Sequence, residues 1–427
     1  MSNSIKAFED LRETIFRYYD TPFRVQLDGV MKERKNLLDH DGGLWRLPWV
    51  ESIKNYKQTG QGKEKAIISA GSTDELVELV DRGLLATWDD ENQIMSPFAD
   101  IFLHQKQALE SVNSGRNVVV SAGTGSGKTE SFLLPLLSNL LKESKNWTGS
   151  SPPGERWWDD PGGNWVAQRS GETGRTAAVR ALIMYPMNAL VEDQLVRLRQ
   201  ALDSMQAREW FDTNRRGHRF YFGRYTGRTP VSGKPEDKRR VLDLADRSKE
   251  LERRAKIVKD DQSRRFYLPQ MDGAEMRSRW DMQEHPPDIL ISNYSMLNIM
   301  LMRQLEVPML EKTREWLKED KSNVFHLVVD ELHMYRGTMG TEVAYLLRRL
   351  LAELGLEPDS PQVRFIATSA SLPEGAASEK FLSGFFGADA KSFDIFSGEL
   401  EDKQSHLPVD LSQWVSEFKA CEETLPK

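Results

Sequence analysis

The sequence predicts an α/β chain with a mainly parallel sheet, preceded by a mostly helical N-terminal region, and three observations carry that reading. Apolar, β-branched runs recur at Asn117–Ser121, Ala181–Tyr185, Asp288–Ser292, Val324–Val329 and Val363–Thr368, with helical stretches between them. Near-continuous apolar strands alternating with helices imply a parallel sheet covered on both faces. Upstream of about residue 97 that rhythm is absent. A glycine-rich turn directly follows the first strand, and ligands in such sheets sit at the carboxyl ends of the strands.

Residues 1–95 form the helical region. Ile5, Phe8, Leu11, Ile15 and Tyr18 recur at helical spacing, as one amphipathic helix requires. Gly42-Gly43, Pro48 and Gly60 to Gly62 then break the region into short pieces. Trp45, Trp49 and Tyr56 read as core or domain contact rather than as a base-stacking platform. Residues 96–395 carry the α/β rhythm, with insertions at 144–177 and 234–282, and 396–427 are a C-terminal tail. The first insertion is rich in Gly, Ser, Pro and Trp and reads as a partly mobile surface loop. Residues 234–265 alternate acid and base; they read as a solvated helix laced with ion pairs, with a nucleic-acid contact as the alternative. No internal repeat is visible.

Composition bounds the function. The 427 residues are 39% hydrophobic and carry a net charge of -7. An acidic balance argues against a surface coated in nucleic acid, although local Lys and Arg patches can still bind phosphates. Cys421 is the only cysteine, so an intrachain disulfide and a four-cysteine zinc site are both excluded. With no signal-peptide pattern over Met1 to Asp20 and no run long enough to span a bilayer, a cytoplasmic location and no membrane partner are expected.

The chemistry concentrates in two strings. Ala122-Gly123-Thr124-Gly125-Ser126-Gly127-Lys128-Thr129 follows the strand Val118–Val120. Glycines let backbone N–H groups approach phosphates closely, and the following helix presents its positive dipole end to the same anion. Lys128 is expected at the β- and γ-phosphates and the Thr129 hydroxyl on Mg²⁺. Ala122 stands where the strict pattern has Gly. The second string, Asp330-Glu331-Leu332-His333, ends the strand Val324–Val329. Asp330 is assigned to the metal and Glu331 to water activation; a helix N-cap is the minority reading. No metal-ligand spacing occurs, so Mg²⁺ delivered with ATP is the one ion expected.

With these strings the chain resembles the first RecA-like motor domain of a DEAD/DEAH-box superfamily 2 helicase over about residues 97–375, with Asp330 to His333 as the box. Phe102-Leu103-His104-Gln105 is similar to the family's adenine-reading segment, where Gln105 would bind the base edge. Pro186-Met187-Asn188-Ala189-Leu190 resembles motif Ia, Gly223 to Arg228 motif Ib, and Ser292 to Leu297 motif Ic. The resemblance implies nucleic-acid contacts from Pro186, Asn188, Arg224, Thr226, Gly227 and Asn293. Ser369-Ala370-Ser371 matches motif III, which couples ATP turnover to strand movement in the family. The stretch Asp330 to Arg336, followed by Gly337 and Leu346-Leu347-Arg348-Arg349, is most similar to the Lhr-like and MrfA-like DNA helicases, which implies DNA rather than RNA. Arg215, Arg216, His218, Arg219 and Arg224 read equally as a phosphate-tracking edge or a solvated loop, and His326 as a satisfied core residue.

One departure qualifies the resemblance. Nothing after Ser371 resembles motifs V and VI of a second motor domain, the source of the family's arginine fingers. The expectation is ATP binding, weak hydrolysis by the chain alone, and completion by a second motor domain or partner subunit. Two alternatives stand beside it. One is a nucleotide-gated subunit that clamps nucleic acid or a partner with little turnover. The other, a P-loop enzyme phosphorylating a small molecule, would have no use for motifs Ia, Ib, Ic and III.

Overall fold

A computed structural model describes residues 4–46, 55–89, 94–123, 125–160, 164–258, 261, 264–372 and 375–401. They fall into two compact units, Met1–Asn55 and Tyr56–Lys427.

The first unit contains helices α1 (Ser4–Asp20) and α2 (Asp28–Leu38). Its packed face differs from the expected one: Leu11, Ile15 and Tyr18 are exposed, while Phe16 is buried. Phe8 meets Trp45 edge-on, and Arg12 lies over the Trp45 ring while bonding Asp39. The contact face therefore runs through Phe8, Arg12 and Phe16, because a cation with a long stem can pack as well as an aliphatic chain. Trp49 lies outside the described residues.

The second unit opens with α3 (Lys63–Ser69), α4 (Asp74–Val80) and an antiparallel pair, β1 (Ala86–Asp89) and β2 (Ile94–Pro97). Then come α5 (Leu103–Asn113), β3 (Asn117–Ser121), α6 (Lys128–Ser144), β4 (Ala181–Tyr185), α7 (Asn188–Asp203), α8 (Met205–Arg215) and β5 (Phe222–Tyr225). The insertion helix α9 (Lys238–Ile257) precedes β6 (Glu275–Met276), α10 (Arg279–Glu284), β7 (Ile289–Asn293), α11 (Tyr294–Met302) and α12 (Val307–Glu319). The chain continues through β8 (Phe325–Val329), α13 (Gly337–Leu354), β9 (Val363–Ser369), α14 (Ala376–Phe386) and β10 (Phe393–Ser397).

Eight strands form one sheet in the order β10-β3-β9-β8-β4-β7-β5-β6, every pair parallel. The middle strands are buried at consecutive positions, as the unbroken apolar runs require, since helices cover both faces. Because all strands point one way, every βα turn emerges on the same side, and that edge gathers the motifs. Helix α14 and β10 close the β3 edge, with Phe386 packing between Phe365 and Phe393.

The first insertion is not a loose surface loop. Arg169, Glu172 and Arg175 are buried and ion-paired among themselves, with Asp288 and with His218. Within this insertion Gly149 and Gly174 take left-handed φ of 68° and 82°. Helix α9 buries Val241, Leu244, Ala245, Ser248, Glu252 and Ala255 at three- and four-residue spacing. Its other side is laced with pairs such as Arg247–Asp243 and Arg253–Glu250. Among the described residues no helix is long and apolar enough to cross a membrane, and no cluster of His, Cys, Asp and Glu could hold a metal unaided.

Candidate nucleotide site

The turn after β3 is built for close approach. Gly125 and Gly127 take left-handed φ of 75° and 68°. A Cβ at Gly127 would lie 2.3 Å from Gln105 Nε2, whereas one at Gly125 would meet nothing within 4 Å, leaving the cradle open on that side. Gln105 Nε2 donates to the Gly127 carbonyl at 3.0 Å, its Oε1 accepts from the Phe102 amide at 2.9 Å, and the His104 ring meets the Ser126 carbonyl at 2.8 Å. The residues expected to read adenine thus also fix the loop's shape. Ala122 continues the sheet, its amide donating to Ser369 O at 2.9 Å. Thr124 lies outside the described residues. Lys128 starts α6, so the positive end of that helix's dipole lies at the end of the loop. Thr129 is buried and its Oγ1 accepts from Gln194 of α7 at 3.1 Å.

The acidic pair faces this loop. Asp330 lies beyond the end of β8, where its amide donates to Met184 O at 3.1 Å. Its Oδ1 accepts from the Thr368 hydroxyl and from the Glu331 amide. Burial pushes the Asp330 carboxyl above its ordinary value, against the Thr368 bond that pulls it down. Glu331 takes a left-handed φ of 52°, a conformation costing a side chain roughly 1–2 kcal/mol. From it the carboxylate reaches Lys128 Nζ at 3.1 Å and His333 Nδ1 at 3.2 Å. His333 Nδ1 accepts from the Ala370 amide at 3.3 Å, which ties the acidic string to Ser369-Ala370-Ser371 and leaves that nitrogen no proton to donate to Glu331, whose Oε2 has no hydrogen-bond partner. Ser369 donates to Ser371 O at 2.7 Å and shapes that turn. The Tyr185 and Tyr335 hydroxyls are buried here without partners.

The remaining predicted residues divide. Asn188 and Asn293 come together, the Asn293 amide donating to Asn188 Oδ1 at 2.7 Å while its own Oδ1 caps α11. Pro186 lies in the turn between β4 and α7. Thr226 is buried in a turn stabilised by Thr229, whereas Gly227 is exposed beside Arg228. Arg224 is paired with Glu192. Arg215 pairs with Glu75, Arg219 with Asp212 and His218 with Glu172, so these three hold α8 and the first insertion in place. Of that basic string, Arg216 is exposed. Sequence reasoning missed Gln194, Thr368 and Tyr56, whose hydroxyl accepts the Gly123 amide at 3.0 Å.

A glycine-rich turn between β3 and α6, an acidic pair after β8, and β9 lying between those strands define a RecA-like P-loop nucleotide-binding fold. Residues 102–220 match the DEAD/DEAH box helicase family. It is similar to Druantia protein DruE of Escherichia coli, at 31% identity over 92% of this chain. It is also similar to the uncharacterized ATP-dependent helicase MJ1574 of Methanocaldococcus jannaschii, at 24% identity over 69%. The chain spans 22% of the first relative's length and 28% of the second's. Among solved structures, the DUF1998 helicase MrfA bound to DNA and AMPPNP is 18% identical with a TM-score of 0.43, over 86% of this chain and 33% of that one. Mycobacterium smegmatis helicase Lhr bound to ssDNA and AMP-PNP is 20% identical with a TM-score of 0.40, over 69% and 25%.

Proposed function

We propose that this chain is the ATP-binding motor domain of a nucleic-acid-dependent ATPase or helicase acting on DNA, working with a second RecA-like domain. The observation that carries the reading is the ion pair between Lys128 of the glycine-rich turn and Glu331 of the acidic string, beside His333, which accepts from the Ala370 amide of the Ser369-Ala370-Ser371 turn. The cradle, open at Gly125, fits a triphosphate, and Asp330 with Thr129 offers hard oxygen ligands that fit Mg²⁺. Bound Mg²⁺ supplies charge neutralisation on the β- and γ-phosphate oxygens. Lys128 exchanges its Glu331 partner for those oxygens, and this frees the Glu331 carboxylate to orient a water and take its proton. His333 passes the change to Ala370, and the paired Asn188 and Asn293 offer amide groups to a nucleic-acid backbone. DNA is assigned over RNA on the likeness of Asp330 to Arg336 to the Lhr-like and MrfA-like group.

The test is ATP turnover with and without single-stranded DNA or RNA, for wild type and Lys128→Ala, alone and with a second motor domain added. DNA-stimulated turnover that Lys128→Ala reduces at least about 100-fold is expected. Turnover indifferent to nucleic acid in every mixture sinks the reading.

A further inference from the structure

Three groups hold the phosphate loop from outside, and one lies far upstream of every recognised motif. Residues 56–59 form a strap beside the loop. Lys57 donates its amide to Glu399 O at 2.9 Å, Leu103 donates to Lys57 O at 2.9 Å, and Thr59 donates to Ile101 O at 3.0 Å. The strap is thereby stitched on one side to the segment after β10 and on the other to the segment leading into α5. This fixes the Tyr56 ring edge-on against Phe102 and His104, at centroid separations of 6.0 and 5.7 Å. Its hydroxyl accepts the Gly123 amide at 3.0 Å. Two glycines make room for it: a Cβ at Gly398 would lie 2.6 Å from the ring, and one at Gly123 2.9 Å from the hydroxyl.

We propose that Tyr56 is a positioning residue of the nucleotide site, its hydroxyl pinning the Gly123 amide so that the later amides of the loop stay set for a triphosphate. This rests on the nucleotide-binding reading above. The physical reason is entropic. A loop with glycines at 123, 125 and 127 has many backbone conformations, and anion binding must pay to select one. His104 and Gln105 fix the far end through the Ser126 and Gly127 carbonyls. Tyr56 fixes the near end, next to the Ala122 bond to β9. Because the strap also touches Phe102, the adenine-reading segment and the phosphate loop share one brace. A purely structural Tyr56 would need only its ring, since the ring makes all the apolar contacts.

The hydroxyl is therefore the part to remove. Binding of Mg-ATP and of Mg-tripolyphosphate is measured calorimetrically on the full chain for wild type, Tyr56→Phe and Lys128→Ala. Tyr56→Phe keeps the ring and is expected to weaken both ligands alike by about three- to tenfold, the size of one backbone hydrogen bond. Equal affinity of Tyr56→Phe and wild type, tighter binding by the variant, or a loss confined to ATP with tripolyphosphate unaffected would each overturn the proposal. If wild type binds neither ligand, or Lys128→Ala binds both as wild type does, the nucleotide reading fails and takes this one with it. Loss in Lys128→Ala with none in Tyr56→Phe sinks Tyr56 alone.

Discussion

The two ends of the main sheet treat charge in opposite ways. At the amino ends of β4 and β7, Asp288 is wholly buried and accepts from Arg175 at 2.9 Å, Arg180 at 2.8 Å and the Tyr221 amide at 2.8 Å. Glu172 takes Arg169, Arg175 and His218, and Glu143 takes Arg180. Trp147 lies flat beneath Arg175, 3.7 Å from its guanidinium carbon. Burial pushes the Glu172 carboxyl up, but Arg175 and Arg169 outweigh it and hold it well below its ordinary value. At the carboxyl ends, Lys128 and Glu331 make one ion pair at 3.1 Å, Glu331 sits in a strained backbone conformation, and two tyrosine hydroxyls have no partner. Buried groups that are fully paired hold a structure together, while groups left short of partners are free to meet a ligand.

The largest effect tests the amino end. Asp288→Ala strips two buried guanidiniums of a shared carboxylate, and breaking such a pair costs about 3–5 kcal/mol. Chemical denaturation should show that loss, with residual ATP affinity of the folded fraction unchanged. If stability falls by less than 1 kcal/mol, roughly the worth of an exposed pair, the network is not a structural staple. The carboxyl end should respond the other way. Glu331→Gln is expected to lower turnover about 100-fold with ATP affinity retained and little change in melting temperature. A variant that melts earlier but turns over normally would erase the contrast between the two ends.

How much of this could be read from the chain follows the same division. The strings Ala122–Thr129 and Asp330–His333 are contiguous, so their residue types announce a chemistry before any fold is known. The five long strands are legible because Val, Ile and Leu fill consecutive positions. Strand β5 contains Gly223, β6 has only two residues, and β10 alternates as an edge strand does, so none of them stands out from its surroundings. Thr368, Gln194 and Tyr56 act on residues 38, 65 and 67 positions away, a partnership no local window contains. The amino-end network was hidden differently. Glycine, proline and serine around 144–177 suggest a loop, and the arginines that anchor it draw no attention until Asp288 is seen beside them. Likewise Arg215, His218 and Arg219 form a basic string in sequence but each lies against a carboxylate in space.

A smaller test probes the hinge between structure and chemistry. Thr368→Val is nearly isosteric and removes the hydroxyl bonded to Asp330, which should cost about 1–2 kcal/mol and push the Asp330 carboxyl further up. Turnover should then fall more on the acidic side of its pH profile than on the basic side, because the proposed metal ligand must be ionised; a pH-independent loss would assign Thr368 to packing alone.

The smallest expected effect sharpens the comparison from the amino end. His326 is buried as a core residue, yet its ring nitrogens lie near the Arg180 and Val324 backbone without a hydrogen bond of ordinary geometry. Burial pushes its pKa down to about 4, with Arg364 adding to the shift. The unfolded imidazole titrates near 6.5, so as pH falls the unfolded chain takes up the proton first and stability drains away between 6.5 and 4. From pH 7 to 5.5 the loss attributable to this group is about 1 kcal/mol. His326→Leu should flatten the stability profile by that amount over that window, whatever its offset at pH 7. Parallel profiles would mean the imidazole finds a proton-accepting partner, and the amino end would then be satisfied throughout.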